Sequence, residues 1–166
     1  DNRHFAVEDE SRNIGSRHIP PAFFARLETA PLVLLEASDD ERVDITLQEY
    51  VHDSLASFQD AGDSETGFGE WADYLQNSLD RIRRRLGGDR HASVSKMLHE
   101  ALALHARTGD TQGHRAWIGY LLHEYYDGMY EYQLSKKAQR IVFRGTQPEI
   151  LDYLRDNYQI ERTGQV

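Results

Sequence analysis

The segment that decides the fold class is PLVLLE at residues 31–36, a continuous apolar run that ends at the polar triplet 38–40. A short run of this kind is typical of a strand that is fully buried, as in parallel sheets. A second apolar run, RIVFR at 140–144, predicts another short strand, and RHFAVE at 3–8 predicts a third. Three short strands separated by helices favour a helix-rich α/β fold with parallel strands.

Outward from these strands, the chain is dominated by amphipathic helices. Apolar residues recur at three- and four-residue steps from Val43 to Phe58, behind Ser38 or Asp39 as the expected N-cap. A glycine-containing loop is predicted at 61–69. An earlier helix is predicted to open at Pro20-Pro21, and a later one to run from Phe68 to Gly87-Gly88. Further helices are predicted over 90–107, 112–126 and 129–138, with an interruption at Gly128, and a last helix is predicted to open at Pro148.

This pattern predicts one domain, or a fragment of one, over residues 1–166. Its sheet portion is expected in 1–37 and 139–158, and a large helical layer is expected in 38–138. Residues 159–166 are expected to be a frayed tail. Three strands make a thin sheet, so we expect its remaining strands to lie outside this chain.

The composition of the 166 residues, with 39% hydrophobic and 28% charged, is that of a globular protein. No apolar run reaches the ~18–20 residues of a membrane span, and no signal peptide is visible. We therefore expect a cytoplasmic protein without a membrane partner. The chain has no cysteine, which excludes a disulfide, a cysteine nucleophile or a thiolate metal site within it. It begins with Asp1, so we expect a processed chain or a fragment.

The formal net charge of −9 argues against a general nucleic-acid binder. The charge is unevenly distributed, however. Residues 1–65 hold 15 acidic and 5 basic side chains, whereas residues 66–166 hold 13 acidic and 14 basic ones. An anionic ligand is therefore expected against the second half.

A basic cluster, RIRRR at 81–85, lies at the end of the clearest helix. Helical spacing places Arg81, Arg84 and Arg85 on one face, where guanidinium groups suit a phosphate or diphosphate. The alternative is that these cations complement the helix dipole and are only solvated. The pattern leaves both readings open.

A second basic group comprises Lys136, Lys137, Arg140 and Arg144, and it follows the tyrosine-rich segment 125–132. It could follow a nucleic-acid backbone or be a solvated helix end.

Tyr126 and Tyr130 are four residues apart, on one helical face. They could hold a base by stacking, or they could be packing residues of the core.

The acidic residues Glu8, Asp9 and Glu10 follow the first predicted strand, where carboxylates can take part in phosphoryl chemistry. A plain polar turn is the alternative. The eight histidines, His114 and His123 among them, show no metal spacing and are expected to be structural or exposed. The chain contains neither GxxxxGK[ST] nor GxGxxG, and we predict no metal site.

Three segments together resemble a known family: VEDESRNIGSRHIP (7–20), RIRRRLGGDRH (81–91) and HEYYDGMYEYQLSKKAQRIVFRG (123–145). They resemble the C-terminal half of bacterial tRNA 2-selenouridine synthase, in order and along nearly the whole chain. One departure is Gly128, where the family usually has proline, and this removes no functional group.

The resemblance implies an enzyme with an N-terminal rhodanese-like domain and a P-loop domain, of which this chain would be the later part, without the Walker A motif. It implies conversion of wobble 2-thiouridine in tRNA to 2-selenouridine through an S-geranyl intermediate. The resemblance also implies geranyl diphosphate and selenophosphate as co-substrates, and no cofactor is expected in this chain. The partners implied are the tRNA anticodon region and the missing N-terminal portion of the same protein.

Carried onto this sequence, the resemblance places the catalytic acids Asp9 and Glu10 at a Walker-B-like position. The diphosphate-binding residues would be Arg12, Arg81, Arg84 and Arg85. The tRNA-binding residues would be Arg83, Arg90, Tyr126, Tyr130, Lys136, Lys137 and Arg140. The chain alone is expected to be inactive. The alternative function is a non-catalytic helical binding module.

Overall fold

The computed structural model of the protein describes residues 4–9, 12–14, 17–61 and 64–158. The chain divides into two compact units. We call Asp1–Ala37 with Leu134–Val166 the sheet unit, and Ser38–Gln133 the helical unit. The predicted tail at 159–166 lies outside the described residues.

Helices account for most of the described chain. The strands are β1 (Asn13–Ile14), β2 (Arg17–His18), β3 (Leu32–Leu35) and β4 (Ile141–Gly145). The α-helices are α1 (Pro21–Thr29), α2 (Asp39–Leu47), α3 (Ser54–Ala61), α4 (Ser64–Leu86), α5 (Gly88–Thr108), α6 (His114–Leu121), α7 (Gly128–Lys137) and α8 (Gln147–Tyr158). Two π-helical turns, Gln48–Asp53 and Leu122–Asp127, and a 3₁₀ turn, Ala138–Arg140, complete the described elements.

The sheet unit is built on the parallel pair β3 and β4, in which Leu35 lies opposite Gly145. Both strands and their parallel direction were predicted correctly. The ring of Phe143 stacks on Tyr153 of α8, with ring centroids 4.4 Å apart. The predicted full burial of β3 is wrong, because its residues are only half-buried and Leu35 is 56% exposed.

The predicted strand at 3–8 is also wrong for residues 4–8, which have no regular secondary structure. Phe5 and Val7 are exposed, so this stretch lacks the buried face of a core strand. Strands β1 and β2 instead form a short antiparallel hairpin. The described residues therefore contain two parallel strands rather than the three expected.

The helical unit encloses the main hydrophobic core. Trp71, Leu98 and Ile118 are among its largest fully buried side chains. At the start of α2, Ser38 Oγ accepts a hydrogen bond from the Glu41 amide at 3.3 Å, and Glu41 Oε2 accepts one from the Ser38 amide at 2.8 Å. This capping box satisfies amide groups that have no intrahelical partner, and it confirms Ser38 as the N-cap.

The loop predicted at 61–69 is wrong from residue 64 onward, because α4 begins at Ser64 and its glycines are helical. At Gly67 an added Cβ would lie 2.9 Å from the carbonyl oxygen of Phe58 in α3. The glycine therefore permits a close approach of two helices rather than forming a loop. By contrast, Gly87, with φ of 90°, separates α4 from α5, as predicted.

The expected interruption at Gly128 is wrong. Gly128 has helical φ and ψ angles of −61° and −32°, and it follows directly on the second π-helical turn. The helical path thus continues from α6 into α7, with a change of helical register instead of a break. Across the described residues, no helix is both long and apolar enough to cross a membrane.

Candidate functional site

The helical unit contains an apolar cavity of about 270 Å³. Its floor is formed by core side chains: Leu75, Leu79, Leu98, Trp117, Ile118 and Leu121. Its rim carries three tyrosines, Tyr50, Tyr126 and Tyr130. Tyr50 is 41% exposed and Tyr130 is 57% exposed, so the rim faces solvent, whereas the residues of the floor are buried.

The cavity follows from helical periodicity and from the two π-helical turns. Helix α4 contributes Leu75, Ser78, Leu79 and Ile82, a stripe at three- and four-residue spacing. Tyr50 lies in the first π-helical turn and Tyr126 in the second. Because a π-helical turn changes which side chains share a face, it allows these tyrosines to join a wall built by α-helices.

Two of the rim tyrosines are close neighbours, and burial favours the neutral form of Tyr50 and Tyr126. The rings of Tyr126 and Tyr130 have centroids 6.4 Å apart. Burial raises the pKa of Tyr126, and the nearby phenols of Tyr50, Tyr125 and Tyr130 add to the effect. Burial likewise raises the pKa of Tyr50. Neutral phenols offer a ligand both a donor and an acceptor at the mouth of the cavity.

A second concave surface lies at the end of α4. We call it the arginine depression; it is lined by Asp80, Arg81, Arg83, Arg84, Gly87 and Gly88. All three arginines are exposed. Within the described part of the chain no carboxylate forms an ion pair with them. Their guanidinium groups are therefore available to an anionic ligand.

The cavity and the arginine depression share no residue, although α4 contributes to both. Each helical residue advances about 100° around the axis, so Arg84 lies about 160° away from the cavity-lining Ile82. Arg85, which does not line the depression, lies about 60° from Ile82 by the same count. The predicted trio Arg81, Arg84 and Arg85 shares a face, of which Arg84 points away from the cavity and Arg85 lies nearest to the cavity side of α4.

Several predicted site residues of the sheet unit have an ion-pair or hydrogen-bond partner in the structure. Lys137 Nζ forms an ion pair with Asp9. Arg140 donates from Nε to the Ala30 carbonyl at 2.9 Å and from Nη2 to the Leu27 carbonyl at 2.5 Å. These carbonyls lie at the end of α1, where helical carbonyl groups lack intrahelical partners. Arg140 thus has a structural role, and its contact with tRNA stays a prediction.

The other predicted site residues lie at the surface of the described chain or outside it. Arg12 and Lys136 are exposed, and Glu10 lies outside the described residues. Arg90 Nε donates to Glu124 at 2.9 Å, which joins the start of α5 to the second π-helical turn. The roles predicted for Asp9 and Glu10 stay predictions.

Sequence reasoning missed a buried hydrogen-bonded histidine pair. Trp117 Nε1 donates to His114 Nδ1 at 2.9 Å, so the proton of neutral His114 is on Nε2, 3.2 Å from His105 Nδ1. His114 is fully buried, and burial, followed by the nearby His105 and His52, lowers its pKa to about 4. His105 and His114 are nine residues apart in the chain, and this spacing gave no sequence signal for the contact. No cluster of three or more metal-ligating side chains occurs among the described residues.

The geometry defines a helix-rich α/β chain with an apolar cavity and a separate cationic surface. The family described as tRNA 2-selenouridine synthase AAA domain matches residues 1–161. The chain therefore belongs to this family, and the resemblance seen in the sequence is confirmed.

Curated relatives with the name tRNA 2-selenouridine synthase support the assignment. The relative from Bordetella bronchiseptica is 47% identical over 153 residues, which cover 92% of this chain and 42% of the relative. The relative from Bordetella petrii is 45% identical, with 92% of this chain and 41% of the relative covered. The relative from Shewanella sp. strain MR-7 is 44% identical, with 94% and 42% covered. The chain spans about two fifths of the length of these relatives. No solved structure is significantly similar to it.

Proposed function

We propose that this chain is one part of an enzyme that converts wobble 2-thiouridine in tRNA to 2-selenouridine. The reaction passes through an S-geranyl intermediate, with geranyl diphosphate and selenophosphate as co-substrates. The observation that carries the proposal is the family match over residues 1–161, together with relatives whose name states a tRNA 2-selenouridine synthase. Because the chain spans about two fifths of those relatives, the complete reaction requires the rest of the protein.

In this proposal the arginine depression binds tRNA phosphates. Arg81, Arg83 and Arg84 offer planar donor groups that form no ion pair within the described part of the chain, and the nearby Asp80 carboxylate contacts His91 instead. Each phosphate contact releases counterions from the RNA, so binding weakens as salt rises. The uneven charge of the chain supports this placement, since its acidic excess lies in residues 1–65.

The sheet unit supports a partnership with the rest of the same protein. A two-stranded sheet has little stability of its own, and strands β3 and β4 expose Leu35 and Val142. We expect further strands of a P-loop NTPase-like sheet to complete it. Asp9, Glu10 and Arg12 would then act near the phosphate-binding loop that those strands carry.

The first test compares this chain with the full-length protein on a thiolated tRNA anticodon. Mass spectrometry should show a geranyl mass gain and selenium incorporation only with the full-length protein. The physical reason is that this chain lacks both a cysteine nucleophile and a phosphate-binding loop. A geranyl mass gain with this chain alone would contradict the division of labour proposed.

The second test concerns tRNA binding by the full-length protein. Arg84→Ala should weaken tRNA binding about ten- to a hundredfold, since one charge-assisted contact contributes roughly 1.5–3 kcal/mol. Arg107→Ala is the matched control, because Arg107 is also exposed near a helix end but lies outside the arginine depression. Equal affinities of the two variants would remove the depression from the tRNA footprint.

A further inference from the structure

We propose that the apolar cavity of the helical unit binds a hydrocarbon chain of about ten carbons, on the face of α4 opposite Arg84. The inference rests on the proposed function, because the chain in question is that of the diphosphate co-substrate. It goes further by assigning the chain and the tRNA phosphates to two separate surfaces of one helix.

The size of the cavity sets the length of the ligand. A buried cavity of ~150 Å³ takes up benzene, which corresponds to about 25 Å³ for each carbon. On this scale the volume of about 270 Å³ accommodates roughly ten or eleven carbons. A five-carbon chain leaves half of the cavity empty, and a fifteen-carbon chain must extend past the rim.

The chemistry of the lining sets the nature of the ligand. The floor is formed by aliphatic side chains and the ring of Trp117, so it favours a chain without polar atoms. Besides the tyrosines, two residues of the lining carry hydroxyl groups: that of Thr46 donates to the Arg42 carbonyl at 2.8 Å, and Ser78 provides the other. The aromatic rings of the rim suit an unsaturated chain, and their hydroxyl groups meet the polar end that stays outside.

The position of the cavity on α4 then places the diphosphate head group and the tRNA phosphates on different sides of this helix. A head group at the rim is on the side of α4 that Ile82 faces, and Arg85 is the nearest arginine of the cluster around the axis. Arg84 starts about 160° away around the axis, on the opposite side of α4 from that group. The proposal therefore assigns Arg84, with Arg81 of the same depression, to tRNA phosphates instead of the predicted diphosphate, and keeps Arg85 for the diphosphate.

The experiment measures binding of dimethylallyl, geranyl and farnesyl diphosphate, and of geraniol, to the 166-residue chain by methyl NMR and calorimetry. Affinity should rise on the order of a hundredfold or more from the five- to the ten-carbon chain, and little from there to fifteen carbons. Geraniol should bind as well, because the floor recognises the hydrocarbon. Shifts should concentrate on methyl groups of Leu79, Leu98 and Ile118, and those of Val51 and Val94, which lie outside the cavity, should not move.

A matched pair of variants tests the location. Ser78→Phe fills the cavity and should lower the affinity for geranyl diphosphate at least tenfold, whereas Asn77→Phe places the same ring on the exposed side of α4 and should not. The methyl shifts of the unmodified chain decide the question if Ser78→Phe does not fold. Shifts outside the cavity, or affinities independent of chain length, would overturn the proposal.

The failure of this inference and the failure of the proposed function give different results. If the full-length protein geranylates tRNA but no ligand perturbs the cavity methyl groups, the cavity proposal is wrong and the function stands. If geraniol occupies the cavity of a full-length protein that does not modify tRNA, the function is wrong and the apolar site stands.

Discussion

Acidification should destabilise the helical unit through His114. Burial holds this imidazole neutral and lowers its pKa from 6.5 to about 4. The unfolded chain takes up a proton as the pH falls through 6.5, while the folded chain does not until about pH 4. Stability contributed by the neutral His114 is therefore complete above pH 6.5 and is lost progressively between 6.5 and 4.

The magnitude follows from the difference between the two pKa values. Each pKa unit corresponds to ~1.4 kcal/mol, so the fall from 6.5 to about 4 amounts to about 3 kcal/mol. Burial also lowers the pKa of His105, which acts in the same direction. Glu41 and Glu149 have pKa values below their ordinary 4.5, because hydrogen bonds from Ser38 and Thr146 favour the carboxylates. Their contributions are lost only at lower pH, so the range from about 4.5 to 6.5 reports mainly on the histidines.

The assay is urea denaturation followed by tryptophan fluorescence, since Trp71 and Trp117 both lie beside His114. Between about pH 7 and pH 5 the free energy of unfolding should fall by about 2 kcal/mol or more. His114→Gln, whose amide oxygen can accept from Trp117, should reduce this loss by more than half. His99→Gln, on the exposed side of α5, should leave it unchanged. Equal pH slopes for the unmodified chain and His114→Gln would refute the reasoning.

Three further predictions concern stability. Gly67→Ala should lower the free energy of unfolding, measured by urea denaturation, by about 1–3 kcal/mol, because the added Cβ meets the α3 backbone. The control Gly69→Ala, whose Cβ would have nothing within 4 Å, should be neutral or stabilising. Similar losses for the two variants would contradict the close contact between α3 and α4. Arg140→Ala should destabilise the sheet unit by about 2–3 kcal/mol, measured by hydrogen exchange of β4 amides, since two carbonyl groups of α1 lose their donor. Ser38→Ala should cost about 1 kcal/mol of unfolding free energy and Ser38→Asp much less, and equal losses would argue against the capping box.

Much of the local structure of this protein is readable from the sequence. The periodic apolar residues of α2, α4 and α5 predict helices because one face of each must be buried. Ser38, Gly87 and Pro148 mark helix ends through local capping and backbone conformation. Strands β3 and β4 are short apolar runs between turn residues. The family could also be named from the sequence, because its motifs are contiguous.

The predictions from the sequence were wrong where the structure depends on contacts or backbone geometry that a local pattern does not encode. Gly67 reads as a loop residue, yet it is helical because α3 packs against it. Gly128 reads as a break, yet the π-helical turn before it absorbs the change of register. Residues 4–8 have strand composition, yet a strand needs a neighbouring strand to take up its backbone hydrogen bonds, and composition does not supply one.

Local sequence patterns therefore suffice to predict most helices, the two parallel strands, the family and the cationic end of α4. Which side chains meet follows from the packing of elements that are distant in the chain. The ion pair between Asp9 and Lys137 joins residues 128 positions apart, and Arg140 is occupied by α1 carbonyl groups. The cavity forms where α2, α4, α5, α6, α7 and both π-helical turns converge. The physical reason is that periodicity and capping act within a few residues, whereas burial and side-chain pairing depend on how distant elements pack.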